Sequence, residues 1–279
     1  MYPAGPDPRI NTLECFIKLF FWQLPLLYSY NGICFNKLFW PKIFCFQKEM
    51  KLSIIIPCYN EQLSINKLID NCTESLNEDV EILLVDNGSK DNTYKTLLSL
   101  NLPKNIVPFR IEKNIGYGNG ILFGLKKAKG EVLSWTHADL QTDISDVIRG
   151  FNLYEKELNK KTCIVKGERK NRNIIDSFFT FSMGVYCSFV LGKWLFDINA
   201  QPKIFHKSFL EKFEKAPLDF SLDLYVLYFF SLNKINIKSI PVFFNKRQYG
   251  VSKGGGTLKG KFKLIKRTLS YIHHLKKSL

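Results

Sequence analysis

Residues 80–89 read VEILLVDNGS. An apolar run that stops on Asp86, Asn87, Gly88 and Ser89 is the pattern of a short buried strand delivered into a turn, for which Asn-Gly supplies the backbone freedom. The pattern has a counterpart upstream. There KLSIIIPCYN (51–60) is a strand expected to stop at Pro57, and EQLSINKLIDNCTESL (61–76) spaces its apolar residues at helical intervals. Downstream, DNTYKTLLSL (91–100) is expected as a helix capped by Asp91 or Asn92 and NIVPFRIEKN (105–114) as a third strand. GYGNGILFGLKKAKG (116–130) reads as a glycine-opened helix closed by Gly130, and EVLSWTHAD (131–139) as a fourth strand. Strands alternating with such helices make βαβ units: an α/β fold with a mostly parallel central sheet and helices on both faces. Ligands bind such sheets at the carboxyl ends of the strands. The polar clusters at 59–61, 86–89, 114–120 and 137–143 all fall there.

The chain has 279 residues, enough for one sizeable domain with appendages, and a net charge of +15 that calls for an anionic partner. Nucleic acid would explain the charge but leaves the strand-end carboxylates without a role, so no nucleic-acid partner is expected. Cys15, Cys34, Cys45, Cys58, Cys72, Cys163 and Cys187 follow no C-x-x-C or zinc spacing and read as reduced thiols of a cytosolic protein. Three stretches are expected: an apolar N-terminal extension (1–49), a catalytic domain (50–256) and a basic amphipathic helix (257–279). The extension carries Lys18, Gln23, Pro25 and Asn31 within its apolar run, a poor spanning helix, and lacks the pattern of a secretory signal. The regular strand–helix pattern begins only at Met50, which is therefore the expected natural start; a membrane-interface arm and a packing arm are the other readings of 1–49.

Several motifs narrow the chemistry. The G-x-G-x-x-G fingerprint fails because Ile121 stands at its last position and the segment follows the third strand; no Walker A sequence occurs. Gly116, Gly118 and Gly120 either admit a ligand to the backbone or make a tight turn. Asp86 at a strand end can accept hydrogen bonds from a base or a ribose, although turn chemistry alone would select the residues after it. In SWTHADLQTD (134–143), His137, Asp139, Gln141 and Asp143 project to one side if the chain stays extended. Asp139 and Gln141 offer hard oxygens to Mg2+ or Mn2+, ions that bridge diphosphates. The other reading has Asp143 capping the helix that follows and no metal bound.

SIIIPCYNE, LLVDNGSKDNT and WTHADLQTD occur in the order and spacing of family 2 glycosyltransferases, which the chain resembles from about residue 51 to 257. FFNKRQYGVSKGG (243–255) resembles the R-x-x-G-x-S-K segment of the branch that glycosylates dolichol and other polyprenyl phosphates. The resemblance implies a GT-A fold, a nucleotide-diphosphate-sugar donor and inversion at the anomeric carbon. It implies that Pro57, Tyr59, Asn60 and Glu61 line the nucleotide pocket, that Asp86 contacts base or ribose, and that Asn114 and Gly116 flank them. Asp139 and Gln141 match the metal positions of the family's D-A-D-x-Q segment. His137 stands where the first Asp usually does, which puts the affinity or identity of the metal in doubt; a retained but altered site that includes His137 is expected.

Glycosyl transfer builds negative charge on the departing diphosphate. Arg169, Arg247 and Lys253 are candidates to stabilise it, a solvated basic face being the other reading of Arg169 and its neighbours. A polyprenyl phosphate acceptor is already ionised, whereas a glycan hydroxyl needs a base, for which Asp219 or Asp223 could serve. The E-D and Q-x-x-R-W segments of hydroxyl-acceptor branches are absent, which favours the phosphate. FFTFSMGVYCSFVLGKWLF (178–196) falls short of a clean span and reads as an interfacial or a core helix. The stripe of Leu258, Phe262, Ile265, Leu269, Ile272 and Leu279, with Lys at many of the remaining positions, fits either an anionic bilayer or burial against the domain. The resulting expectation is an enzyme peripheral at the cytoplasmic face of the membrane. Its rivals are a family 2 enzyme that glycosylates a hydroxyl in cell-surface polysaccharide synthesis and a non-catalytic nucleotide-sugar-binding relative disabled at His137.

Overall fold

The computed structural model describes residues 51–171, 174–245 and 258–278. The expected extension 1–49 and the segment 246–257, with Arg247 and Lys253, lie outside the described residues. Seven strands form one sheet: β1 (Leu52–Cys58), β2 (Val80–Asn87), β3 (Ile106–Ile111), β4 (Val132–Trp135), β5 (Cys163–Lys170), β6 (Lys203–His206) and β7 (Asn236–Phe243), in the order β3-β2-β1-β4-β6-β5-β7. All neighbours pair parallel except β6, which runs antiparallel to both β4 and β5. The helices are α1 (Ile65–Ser75), α2 (Thr93–Ser99), α3 (Tyr117–Lys127), α4 (Ser145–Asn159), α5 (Ile174–Leu191), α6 (Leu222–Leu232) and α7 (Leu258–Ser278).

Strand alternation divides the core. Ile54 and Ile56 of β1 point into one cluster with Leu68 of α1 and Val147 of α4, while Ile55 points into the other with Leu125 of α3, Cys187 of α5 and Phe230 of α6. Burying both faces of β1 and β2 is what makes their sequences continuous apolar runs. The α/β sheet with helices on both faces is as expected.

Three local expectations need correction. β1 does not stop at Pro57: beside β4 its pairing ends at Ile55, and Pro57 is paired with Val85 of β2 alone, where a missing N–H is tolerated. α3 closes at Lys127, with Ala128 as its C-cap, and Gly130 serves a different purpose. A Cβ on Gly130 would lie 2.6 Å from Ser53 Oγ, which the Gly130 amide contacts at 2.7 Å. The chain also does not stay extended beyond Trp135; it bends through 138–142, with Leu140 at φ 60. The spacing of His137, Asp139, Gln141 and Asp143 is therefore not a strand alternation. Asp143 does accept from the Ser145 amide (2.8 Å), and Asp91 from the Thr93 amide (3.0 Å), at the starts of α4 and α2.

The apolar stripe of α7 is used within the protein: Ile272 and Leu275 are buried in the second cluster, with Leu269 and Tyr271 packed on it. The burial reading holds for these residues. Cys58, Cys72, Cys163 and Cys187 are free and buried, and burial pushes Cys72 and Cys187 up to about 12 and Cys163 to about 11. None of these three thiols is a ready nucleophile at neutral pH.

Candidate active site

The carboxyl ends of β1 and β2 are tied together by short polar side chains. Asn60, at φ 54, donates its amide to Ser89 Oγ (2.9 Å) and accepts the Lys90 amide on Oδ1 (2.8 Å). Positive φ suits Asn better than most residues. The Glu61 amide donates to Thr93 Oγ1 (2.9 Å), and Ser64 donates to Glu61 Oε2 (2.9 Å). These bonds set the floor beside Pro57 and Tyr59. Asp86 is fully buried at the end of β2. Its Oδ1 accepts the Ser89 amide (3.1 Å), while Oδ2 has no hydrogen bond and has Arg110 Nη1 at 3.7 Å. A buried carboxylate oxygen left without a donor is costly, so this geometry is ready for a ligand N–H or O–H.

The glycines of 116–120 have a partner in the protein itself. A Cβ on Gly116 (φ 146) would meet Leu218 O at 2.1 Å, and one on Gly118 would meet Pro217 O at 2.5 Å. The Asn119 amide donates to Leu218 O (2.9 Å), so the backbone before α6 docks on the first turn of α3. At Gly116 and Gly118 the group that approaches closely is the protein's own backbone, residues 217–219, and at Gly120 it is the Asn87 side chain. Asn114 accepts the Gly116 amide (3.0 Å), and Asn87 Nδ2 donates to Gly116 O (2.8 Å).

That docking creates the centre of the site. Tyr117 stacks on Phe220 (4.7 Å between centroids, 8° between planes), and its hydroxyl lies 3.5 Å from His137 Nδ1 and from Gln201 Nε2. Gln201 donates to Asp223 Oδ1 (2.8 Å), and Lys203 Nζ lies 3.4 Å from the same oxygen while donating to Ile198 O (2.9 Å) and Ala200 O. Three acceptors satisfy the three donors of a lysine that has no exposed surface. Burial holds His137 below the usual imidazole range, against the upward pull of Asp139 and Asp223, so its ring is neutral at pH 7. Burial likewise raises Tyr117, which keeps its proton. Asp219, the other candidate base, is a helix cap that accepts the Ser221 amide (2.8 Å) and pairs with Arg267 of α7 (3.3 Å). The Arg267 guanidinium also lies 5.2 Å over the Phe220 ring.

Arg169 is neither solvated nor free. It grips Asp197 with Nε (2.9 Å), Nη2 and its own amide (2.8 Å). Burial pushes the Asp197 carboxyl up, but Arg169's charge and hydrogen bonds more than reverse this and hold it below the usual range. Beside them Lys166 is buried (4% exposed), and loss of water lowers it to about 8. Sequence reasoning missed Tyr117, Asp197, Gln201, Lys203 and Lys166. The available signal was Lys203 beside Ile204 and Phe205 in the short KIFH strand, a charge that burial permits only with partners.

Asp139 accepts the Gln141 amide (3.2 Å), and Gln141 is tied to Asn245 by two bonds: Nε2 to Asn245 O (3.0 Å) and the Asn245 amide to Gln141 O (2.9 Å). Among the described residues no group of three His, Cys, Asp or Glu side chains is placed to hold a metal ion. The donor set of one carboxylate, one amide oxygen and one neutral imidazole fits Mg2+ or Mn2+ only as part of a shell that a diphosphate completes.

The seven-stranded sheet with one antiparallel strand, carrying its polar site along the parallel carboxyl edge, is the GT-A glycosyltransferase fold. Residues 53–213 match the sequence model of glycosyl transferase family 2, and the chain belongs to that family. An uncharacterized glycosyltransferase of Bacillus subtilis (strain 168), YkoT, is 34% identical over 187 residues, which cover 61% of this chain and 54% of that one. The match thus spans about half of that relative's length. Glucosyl-3-phosphoglycerate synthase from Mycobacterium tuberculosis, solved with Mn2+, UDP-glucose and phosphoglyceric acid, superposes with a TM-score of 0.64 at 13% identity, over 82% of this chain and 80% of that one. Residues 1–349 of TarS from S. aureus, solved with UDP-GlcNAc, give a TM-score of 0.51 at 18% identity, over 72% of this chain and 60% of that one. At these identities the two structures show the fold alone.

Proposed function

We propose that the protein moves a sugar, with inversion, from a nucleotide diphosphate to a polyprenyl phosphate, working peripherally at the cytoplasmic face of the membrane. The observation that carries the donor half is Asp86 Oδ2, buried at the end of β2 without a hydrogen bond, on the same sheet edge as Asp139. Asp86 accepts from the base or ribose, with residues 57–61, Asn114 and Gly116 around it. Asp139, Gln141 and His137 would hold Mg2+ or Mn2+ together with the diphosphate, and such an ion would supply Lewis-acid stabilisation of the leaving group. The solved synthase neighbour has Mn2+ with its UDP-glucose, which supports this cofactor class. Because Arg169 is committed to Asp197, it orients the 197–201 turn, and Arg247 and Lys253 remain the candidate positive charges for the diphosphate.

The acceptor assignment is supported by a cavity of about 350 Å³ whose walls include Trp194, Phe196, Leu227 and Ile237, with Lys166 among them. Apolar walls with one buried cation suit an amphiphilic anion. An acceptor phosphate oxygen forms the new bond to the anomeric carbon as the bond to the diphosphate breaks; the electron pair leaves with the diphosphate and no proton needs moving. A specific observation favours a second reading: Asp223 is buried beside Gln201 and close enough to His137 to act on its charge, where a base for a hydroxyl acceptor would stand.

The test is a panel of nucleotide sugars with Mg2+ or Mn2+, with and without a short polyprenyl phosphate. Sugar appearing on the lipid is expected. Turnover with glycan hydroxyls alone transfers the assignment to the second reading. Donor binding without turnover under any condition would identify a non-catalytic relative.

A further inference from the structure

One face of α5 is apolar and turned to solvent. Ile174 (85% exposed), Phe178 (66%), Phe181, Val185 and Phe189 (86%) recur at intervals of three and four residues, and Trp194 (76%) is exposed in the segment that folds back along the helix after Gly192. The helical residues form a single stripe roughly 22 Å long at 1.5 Å per residue. Single exposed apolar residues are ordinary, but a continuous aromatic stripe marks a contact surface.

The surroundings select the partner. α7 packs against α5, and Tyr186 OH lies 3.2 Å from His273 Nε2 at their contact. Ile272 and Leu275 of α7 are buried, and its described exposed residues are Lys266, Ser270, His273, His274, Lys276 and Lys277. The described exposed residues of α7 include no acid, and the whole chain carries +15. An apolar aromatic stripe beside a basic helix complements an anionic lipid surface, whereas two copies facing each other would bring like charges together. Among the described residues no helix is long and apolar enough to cross a membrane, so the matching geometry is a helix lying in the interface.

We infer that α5 docks the protein on anionic membrane, with Phe178, Phe189 and Trp194 inserted among the lipids and the α7 cations on the headgroups. The inference rests on the peripheral placement proposed above and gives it a surface. Of the two segments with an expected lipid-contact reading, 178–196 and the stripe of α7, it places the apolar contact on the first and leaves α7 to supply charge. Trp194 also borders the Lys166 cavity, so the docked face is the one from which a lipid-borne acceptor would enter.

The test is co-sedimentation of the full chain with vesicles of phosphatidylcholine alone or with equal parts phosphatidylglycerol. Binding to the mixed vesicles is expected to weaken with added salt and to fall about tenfold or more in Ile174→Ser/Phe178→Ser/Phe189→Ser, which leaves the cavity wall intact. Nucleotide binding, measured on the same samples, is expected to be unchanged, which separates a docking defect from misfolding. Loss of nucleotide binding in the wild type would instead count against the donor assignment. The inference is overturned if the wild type ignores anionic vesicles, if the triple variant binds them equally, or if the substitutions convert a dimer to a monomer in sedimentation without altering lipid binding.

Discussion

At the ends of β1 and β2, neutral groups hold one another: the Asn60 amide on Ser89, the Lys90 amide on Asn60, the Glu61 amide on Thr93. Around β6 the buried groups are ions, Lys203 against Asp223 and Arg169 against Asp197. The first arrangement uses residues next to the turns they stabilise, and each bond contributes on the order of 1 kcal/mol. The second gathers charges from β5, β6, the turn at 197–200 and α6, and none of them tolerates losing its partner. The donor end should therefore bend under mutation, and the acceptor end should break.

The largest effect expected at the centre between them is that of Asp139→Asn, which lowers kcat by about a thousandfold while leaving the thermal midpoint near wild type. Single-turnover kinetics and a melt on the same sample check both halves, and full activity would remove Asp139 from metal and diphosphate binding. Next comes Lys203→Met, which strands Asp223 and two carbonyls and is expected to cost about 3–5 kcal/mol in urea unfolding. Adding Asp223→Leu should recover part of that stability without recovering any activity.

Lys166 sharpens the comparison through pH. Its folded value, lowered to about 8, lies below the 10.5 of the free side chain, so between these values the unfolded chain binds more protons. Stability from this residue is therefore gained as pH rises through that window, by at most about 1.4 kcal/mol per pH unit. Urea midpoints of wild type and Lys166→Met should accordingly shift in favour of the wild type between the two ends of the window. A parallel pair of curves would show that Lys166 is better solvated than its burial indicates.

Gly118→Ala tests the seam between the ends. Its methyl would enter the space of Pro217 O, so a cost of about 1–3 kcal/mol is expected, together with a changed fluorescence of the stacked Tyr117. Smallest is Ser89→Ala, which removes one acceptor from the Asn60 amide: about 1 kcal/mol, read as a modest rise in donor KM with kcat kept. If Ser89→Ala proved as damaging as Lys203→Met, the contrast between the two ends would be lost.

The same contrast explains what could be read in advance. Asp86, Asn60 and Glu61 stand at the ends of runs whose apolar pattern locates the strand, so position along the chain was enough to place them at the carboxyl edge of the sheet. Gln201, Lys203 and Asp223 come together only because β6 enters antiparallel between β4 and β5, which no periodicity in the sequence announces. Arg169 reads in sequence as a cation for the diphosphate or part of a solvated basic face, and its partner Asp197 lies 28 positions away. The glycines at 116 and 118 read in sequence as admitting a ligand or making a turn, and the group packed against them is protein backbone from a distant stretch. The bend at Leu140 broke an inference that needed a straight strand.

One chain of contacts runs from Arg267 through Asp219 and Phe220 to Tyr117. Residues 53–213 carry the family likeness, yet Asp219, Phe220, Asp223 and Arg267 all lie beyond them. Trimming the protein to its recognisable part would thus keep the nucleotide floor while removing the ring that lies flat on Tyr117 and the carboxylate that Gln201 and Lys203 hold. The unit that the family's sequence model outlines is shorter than the unit that folds together around Tyr117.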